Sequence, residues 1–358
     1  MAAADLTVPP TAATPAALDV LVVNRRTVPW PLAAVGFLAG IFLVWLGTDG
    51  LSSAAIQPRI ICVFAGLLIA FMGLDRLLKR FVSPTIDTGL WLAIVWVSVI
   101  VLAAIFADLL PLKEARDASK SFDAPVAARP DLFSAHPLGT DKFGLDLLGG
   151  VIYGARLSLQ ISLGATAIGI VVGGLIGVCA GYFRGKLDAV VGVLTNSLLA
   201  FPPLILLIAL MVAVKPSVRN LVLALAILGI PTYIRLARAN TMAIAQREFV
   251  LAARSLGAKE RRIVLRELVP NVALPLLSYA FIIVAVLIVA EGSLSFLGLS
   301  IPRPEPTWGN MIYAGNEDLR KIPHLVFVPA TVMFLTVFAL NRISDRARKI
   351  WDPRDAKV

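Results

Sequence analysis

Apolar runs of about twenty residues, each long enough to cross a bilayer as a helix, recur along nearly the whole chain. Eight fall at about 28–47, 58–78, 89–110, 157–181, 188–214, 219–238, 270–296 and 324–341. Hydrocarbon offers no partner for a bare backbone, so runs of this length fold as helices that satisfy their own peptide groups. The expected fold is an all-α polytopic membrane protein. Composition agrees, with 58% hydrophobic and 16% charged residues against about half and a quarter in soluble domains. An even number of spans puts both termini on one side. Of the 33 Lys and Arg residues, 21 fall on that face, among them Arg25, Arg26, Arg184, Lys186, the eight from Arg235 to Arg266 and the six from Arg342 to Lys357. Membrane proteins concentrate basic residues in the cytoplasm, so this face and both termini are expected there. The same rule accounts for the net charge of +10, and no nucleic-acid partner is expected.

Several chemistries are poorly served. Cys62 and Cys179 lie inside apolar runs, where a thiol acts as a small hydrophobe. His136 and His324 stand in separate loops with no second ligand spaced nearby, which argues against zinc. Gly185-Lys186 is followed by Leu187 and lacks the leading glycine of a phosphate-binding loop. The chain is therefore expected to bind no ATP, metal or other cofactor itself and to be no enzyme. A membrane-bound enzyme would also need clustered polar catalytic groups.

The longest polar interruption in the C-terminal half is Gln246 to Pro270. Phe249, Leu251 or Ala252, and Leu256 recur at helical spacing, Gly257 stops that helix, and Ile263, Val264 and Leu268 repeat in a second short helix with charges opposite. The spacing predicts two helices about a glycine hinge, lying on a membrane surface or a partner.

Residues 1–27, rich in Ala, Pro and Thr, read as a disordered tail. The first apolar run has two readings, a retained helix or a secretory signal with Ser52-Ser53-Ala54-Ala55 near its cleavage site. The length of the preceding tail and the spans that follow favour the retained helix. Residues 28–87 then form an extension with two spans. Residues 111 to about 154 form an outward loop with six acids. Gly164, Gly169, Gly173, Gly174, Gly177 and Gly181 carry small-xxx-small spacings that allow close helix contact. Pro202-Pro203 interrupts a span, either to line a path or as a packing kink. Glu291 lies deep in a span, where a lone charge is costly. It is neutral, paired with an Arg or amide of a neighbouring helix, or turned to a water-filled cavity, and a structural or gating role is expected over ligand binding.

Five blocks carry a resemblance. Ala252-Ala253, three residues, Gly257 and then Pro270 resemble the EAA loop of ABC-importer permeases, with Leu251, Glu267 and Val269 replacing the pattern's Glu, Ile and Leu. HPLGTDKFGLDLLGGVIYGARLSL, His136 to Leu159, closely resembles a segment of dipeptide, oligopeptide and nickel permeases of the DppC/OppC type; Leu145 replaces an Arg, and Gly149-Gly150 a Ser-Arg. Ala290 to Ile312 is similar to the family's Glu-Ala-Ser-Leu-Ser-Phe-Leu-Gly-Leu-Gly and Pro-x-Pro-x-Trp-Gly, with Gly292 for Ala, Ser300 for Gly, and Pro304, Pro306, Trp308 and Gly309 kept. Gly181 to Asp188 is similar to the family's Ala-Gly-Tyr-x-Gly-Gly turn, and Asn341 to Arg354 to its C-terminal segment.

The resemblance runs from about residue 88 to the end. It implies a type I importer (MetI-like) transmembrane domain over 88–342, six core helices with two extra N-terminal ones, and a cytoplasmic tail at 343–358, in a bacterial plasma (inner) membrane. It implies as partners a second homologous permease (DppB/OppB-like), two ATPase subunits holding ATP and Mg, an extracytoplasmic solute-binding protein and membrane lipid. Ala252, Ala253, Leu256, Gly257 and Ala258 would sit in a groove of an ATPase. The implied cargo is peptide or a similar small solute, including nickel chelate, glutathione or opine. The competing reading is an ion-coupled secondary transporter without ATPases, which would need coupling carboxylates or inverted repeats.

Overall fold

The computed structural model describes residues 30–46, 56–81, 87–121, 123–131, 133–302 and 304–351. The N-terminal tail at 1–27, Ser52 to Ala55 and residues 352–358 lie outside the described residues. The described residues are helical apart from loops and one isolated bridge, Thr140 with Asp146. The chain divides into two units, Met1–Thr88 and Gly89–Val358.

In the first unit α1 (Trp30–Trp45) and α2 (Ile56–Phe81) pair closely. A Cβ added at Gly66 would sit 2.7 Å from the Gly40 carbonyl oxygen, and one at Gly73 2.8 Å from that of Ala33. Small residues thus let two backbones touch, the usual means of packing helices where no water drives association. Among the described residues, the run at 28–47 includes 16 residues of α1, about 24 Å at 1.5 Å per residue against a hydrocarbon core of about 30 Å.

The second unit begins with α3 (Thr88–Ile105) and a long loop containing a 3₁₀ turn at Ala118–Lys120. A continuous 37-residue helix follows, made of α4 (Leu147–Ile168), a π-helical turn at Gly169–Gly173 and α5 (Gly174–Phe183). Then come α6 (Gly185–Ala200), α7 (Pro203–Val212), α8 (Val218–Ile244) and α9 (Glu248–Ser255). A second 37-residue helix joins α10 (Glu260–Arg262), a π turn at Ile263–Leu268 and α11 (Val269–Phe296); α12 (Trp308–Asn316) and α13 (His324–Trp351) complete the unit. Among the described residues, five helices of this unit are long and apolar enough to cross a membrane, six if α6 and α7 form one broken span.

Several helices outrun the apolar stretches that signalled them. The run at 157–181 starts at Leu147, because the Asp146 carboxylate caps that end by accepting the Gly149 amide at 2.8 Å. The run at 219–238 continues to Ile244, and the run at 324–341 to Trp351. Helical hydrogen bonding does not stop where hydropathy falls. The first part of the expected tail is accordingly packed helix: Ser344 is fully buried and its hydroxyl donates to the Ser278 carbonyl of α11 at 2.8 Å.

The core lies where α4–α5, α8 and α11 cross, with Tyr233, Leu221, Leu225, Leu287 and Leu294 fully enclosed. The predicted glycine stripe lies in that contact. A Cβ at Gly173 would fall 2.7 Å from the Ile230 carbonyl, and one at Gly181 2.7 Å from that of Arg238. A second cluster around Trp308 joins α3, α4, α11 and α13, and the Trp96 indole of α3 donates to the Thr336 hydroxyl of α13 at 3.1 Å.

Candidate functional site

The two ends of the Gly89–Val358 unit carry different chemistry. At the end holding the α5–α6 turn, α9 projects from the bundle. Its residue buried within the protein is Val250, whereas Phe249, Leu251 and Leu256 of the repeat read from the sequence are exposed, Leu256 to 88%. Ala252 is exposed, Ala253 and Ala258 are half-buried, and Gly257 adopts φ +78°. Gly257 donates its amide to the Arg254 carbonyl at 3.0 Å and Ala258 to that of Ala253 at 3.0 Å, the paired closure in which a left-handed residue ends a helix. No heavy atom lies within 4 Å of an added Cβ there. Glycine is required for its backbone angle, not for space. The hinge between two helices is therefore as read, but the second limb does not end at Pro270. It runs into α11 through the π turn, and Ile263 and Leu268 are its fully buried residues.

The neighbouring turn packs against this loop. The Tyr182 hydroxyl, at the end of α5, donates to the Glu260 carboxylate and accepts from Arg254 Nη2 at 3.1 Å. Arg184, which stands where the family's turn has glycine, is held at φ 54°, ψ −152°. Asp188 of α6 takes two bonds from the Arg238 guanidinium of α8, and Arg235 Nη2 donates to Asn196 Oδ1 at 3.2 Å. From sequence Arg235 and Arg238 count among the basic residues of the expected cytoplasmic face, at the end of the run at 219–238. They lie inside a spanning helix, where an amide and a carboxylate of α6 meet them.

Pro202-Pro203 makes a break, not the expected kink. Helix α6 ends at Ala200, Phe201 is extended as residues before proline are, and the axes of α6 and α7 differ by 89°. Leu207 and Met211 anchor α7 in the core, while Val193, Leu194 and Ile205 around the elbow are exposed.

Glu291 lies towards the other end, 1% exposed. Its partners are hydroxyls and not the Arg or amide considered above. Oε1 accepts from Ser295 at 2.7 Å and Ser300 at 2.9 Å, and Oε2 from Ser158 of α4 at 3.4 Å. The Ser158 hydroxyl also receives the Trp308 amide at 3.3 Å, and the Trp308 indole donates to the Val151 carbonyl at 3.0 Å. Thr307 and Asn310 cap α12 reciprocally, each side chain accepting the other's amide. Glu291 thereby ties α11 to α4 and to the Pro-x-Pro-x-Trp-Gly segment, a bond between spans.

The loop before α4 is organised by its acids. Asp141 accepts the Phe143 and Leu145 amides, and Asp146 adds to its cap a contact with His136 Nδ1 at 2.9 Å. Glu114 accepts the amides of Asp117, Arg116 and Ala115, and these donors, Asp117 first, hold its carboxyl below the ordinary glutamate value. Leu145, in place of the family's Arg, is buried. Gly149 and Gly150 sit where a Cβ would come within 2.8 Å of Ala115 Cβ and 2.9 Å of Met311 Cε, so close packing replaces the side chains of the family pattern. A cavity of about 50 Å³ between this loop and α12 is lined by Arg116, Asp141, Lys142, Asn310 and Met311. It has room for a few waters and is no solute chamber.

A long-helix bundle with a broken span, an exposed helix–glycine–helix loop at one end and an acid-organised loop at the other defines a membrane permease component. Residues 169–356 match the family described as binding-protein-dependent transport system inner membrane component, and the chain belongs to that family. Among its relatives, the glutathione transport system permease protein GsiD of Pectobacterium atrosepticum is 34% identical over 221 residues, 62% of this chain and 73% of the relative. The dipeptide transport system permease protein DppC of Alkalihalophilus pseudofirmus is 33% identical over 256 residues, 71% of this chain and 82% of the relative. A solved structure titled as inward-facing conformations of the MetNI methionine ABC transporter matches 55% of this chain and 96% of its own with 19% identity and a TM-score of 0.45.

Proposed function

We propose that this chain is one permease subunit of an ATP-driven importer for dipeptides, glutathione or chemically similar small solutes. It works beside a second permease, two ATPases that hold ATP and Mg, and an extracytoplasmic binding protein. On this reading α9 lies in the cytoplasm, where the basic residues concentrate, and is the contact that receives force from an ATPase. The observation that carries it is Leu256. A leucine 88% exposed beside a glycine-capped helix end is an apolar knob without a pocket in its own chain, and Ala252 next to it leaves room for a partner's close approach. ATPase closure would then swing the bundle between inward- and outward-facing states. The broken α6–α7 span with Pro202 and Pro203 faces the path or the second permease, and Glu291 holds the spans that must move together.

The test separates the knob from the hinge. Leu256→Asp leaves the Gly257 closure intact and should abolish co-purification of the ATPases and uptake of radiolabelled dipeptide and glutathione. Gly257→Asn keeps a residue tolerant of positive φ and should retain both. Normal ATPase association in Leu256→Asp would refute docking through this helix.

A further inference from the structure

We propose that Tyr182 is a positioning residue that braces the two limbs of the 248–268 loop, so that force arriving at α9 is passed to the α4–α5 helix and not lost at the Gly257 hinge. The inference rests on the docking role proposed for α9. Two neighbouring helices meet one distant hydroxyl: Tyr182 at the end of α5 contacts Arg254 on α9, 72 residues away, and Glu260 at the start of α10, 78 away. The hydroxyl donates to the carboxylate and accepts from the guanidinium, so both bonds involve an ionised partner and are stronger than neutral ones. Arg254 also lies over the Tyr182 ring, 5.7 Å from its centroid.

The two charged partners stand on opposite sides of Gly257. A glycine at φ +78° with open space around it has no side chain to lock the hinge, and the other anchors of this loop on the bundle are the buried Val250 and, past the hinge, the half-buried Ala258. The Tyr182 hydroxyl closes a triangle across the hinge. One limb cannot rotate against the other, or against α5, without breaking a charge-assisted bond. The Tyr182 helix runs on through the π turn at Gly169–Gly173 to α4, whose Ser158 bonds Glu291. A rigid line thus leads from the docking helix to the opposite end of the bundle.

An aromatic residue near a helix end at a membrane surface also serves as an interfacial anchor, a role that needs the ring and polar tip but no particular partner. The test distinguishes the two. In the full chain assembled with its ATPases, hydrogen exchange of the α9 amides is measured for Tyr182→Phe, Glu260→Ala and the double variant. Bracing predicts roughly fivefold faster exchange in Glu260→Ala, the effect of losing one such bond, at least that in Tyr182→Phe, which loses both, and no acceleration in the double variant beyond that of Tyr182→Phe. It also predicts normal ATPase co-purification together with a lower ratio of solute uptake to ATP hydrolysis. Unchanged α9 exchange in Tyr182→Phe, or additive effects in the double variant, would overturn the proposal. Its failure is separable from that of docking, because docking is read by ATPase association in Leu256→Asp, a residue that takes no part in the triangle.

Discussion

Replacing Glu291 by Ala removes the acceptor for three hydroxyls at once. Ser295, Ser300 and Ser158 donate at 2.7, 2.9 and 3.4 Å inside a site 1% exposed. A buried donor left without a partner costs about 1–3 kcal/mol. Ser158 is the weakest of the three by distance and keeps its contact with the Trp308 amide. Counting Ser295 and Ser300 near 1 kcal/mol each and Ser158 at less, the stranded groups cost roughly 2–3 kcal/mol, and the void left by the side chain adds about 1 kcal/mol more. At roughly 2–4 °C per kcal/mol for a domain of this size, thermal unfolding of the detergent-solubilised chain should fall by about 6–16 °C. Glu291→Gln keeps the shape and one carbonyl oxygen for Ser295 and Ser300, while its amide group can donate to the Ser158 oxygen. That variant should lose no more than about 1 kcal/mol. The assay is a fluorescence-monitored melt of both variants beside the parent chain. Equal melting of Glu291→Ala and the parent would show that the hydroxyls do not depend on this carboxylate. A Gln variant as damaged as Ala would show that shape and acceptor geometry are not what the site requires.

Three further substitutions test local geometry. Arg184→Gly should raise stability by about 1 kcal/mol, since a non-glycine residue at φ 54°, ψ −152° carries about 1–3 kcal/mol of strain, less the entropy that glycine adds to the unfolded chain; a lower melting temperature would refute it. Ala substitution should have opposite outcomes at two facing glycines. At Gly309 a Cβ would fall 2.6 Å from the Gly292 Cα and 2.7 Å from Ser295 Cβ, costing about 1–3 kcal/mol of overpacking, whereas at Gly292 the nearest atom is Met333 Sδ at 3.5 Å and the change should be neutral or stabilising through helix propensity. Paired melting curves check both.

The period and length of the apolar runs, all local quantities, were enough to determine that this chain folds into membrane-spanning helices. Hydrocarbon leaves the backbone no alternative. The spacing around Gly257 likewise predicted two helices about a glycine, because turns and caps are set by neighbours in sequence, whereas the segment around Trp308 stood out only through its resemblance to the family pattern. What hydropathy could not supply was where helices end. Asp146 starts α4 ten residues before the apolar run, and α13 continues to Trp351 across a charged segment.

Only the tertiary structure decided which groups meet. Glu291 finds Ser158 133 residues away, and Tyr182 finds Glu260 78 residues away. Sequence periodicity predicts which face of a helix is apolar, but not whether that face is covered: Val250 is buried while Leu256, in the same short segment, is exposed. The same limit applies to Pro202-Pro203, whose presence forbids a regular helix but does not give the 89° turn or the burial of Leu207 and Met211 beyond it. Local chemistry selects the elements, whereas the partners of buried polar groups and the cover over apolar ones depend on how distant elements pack.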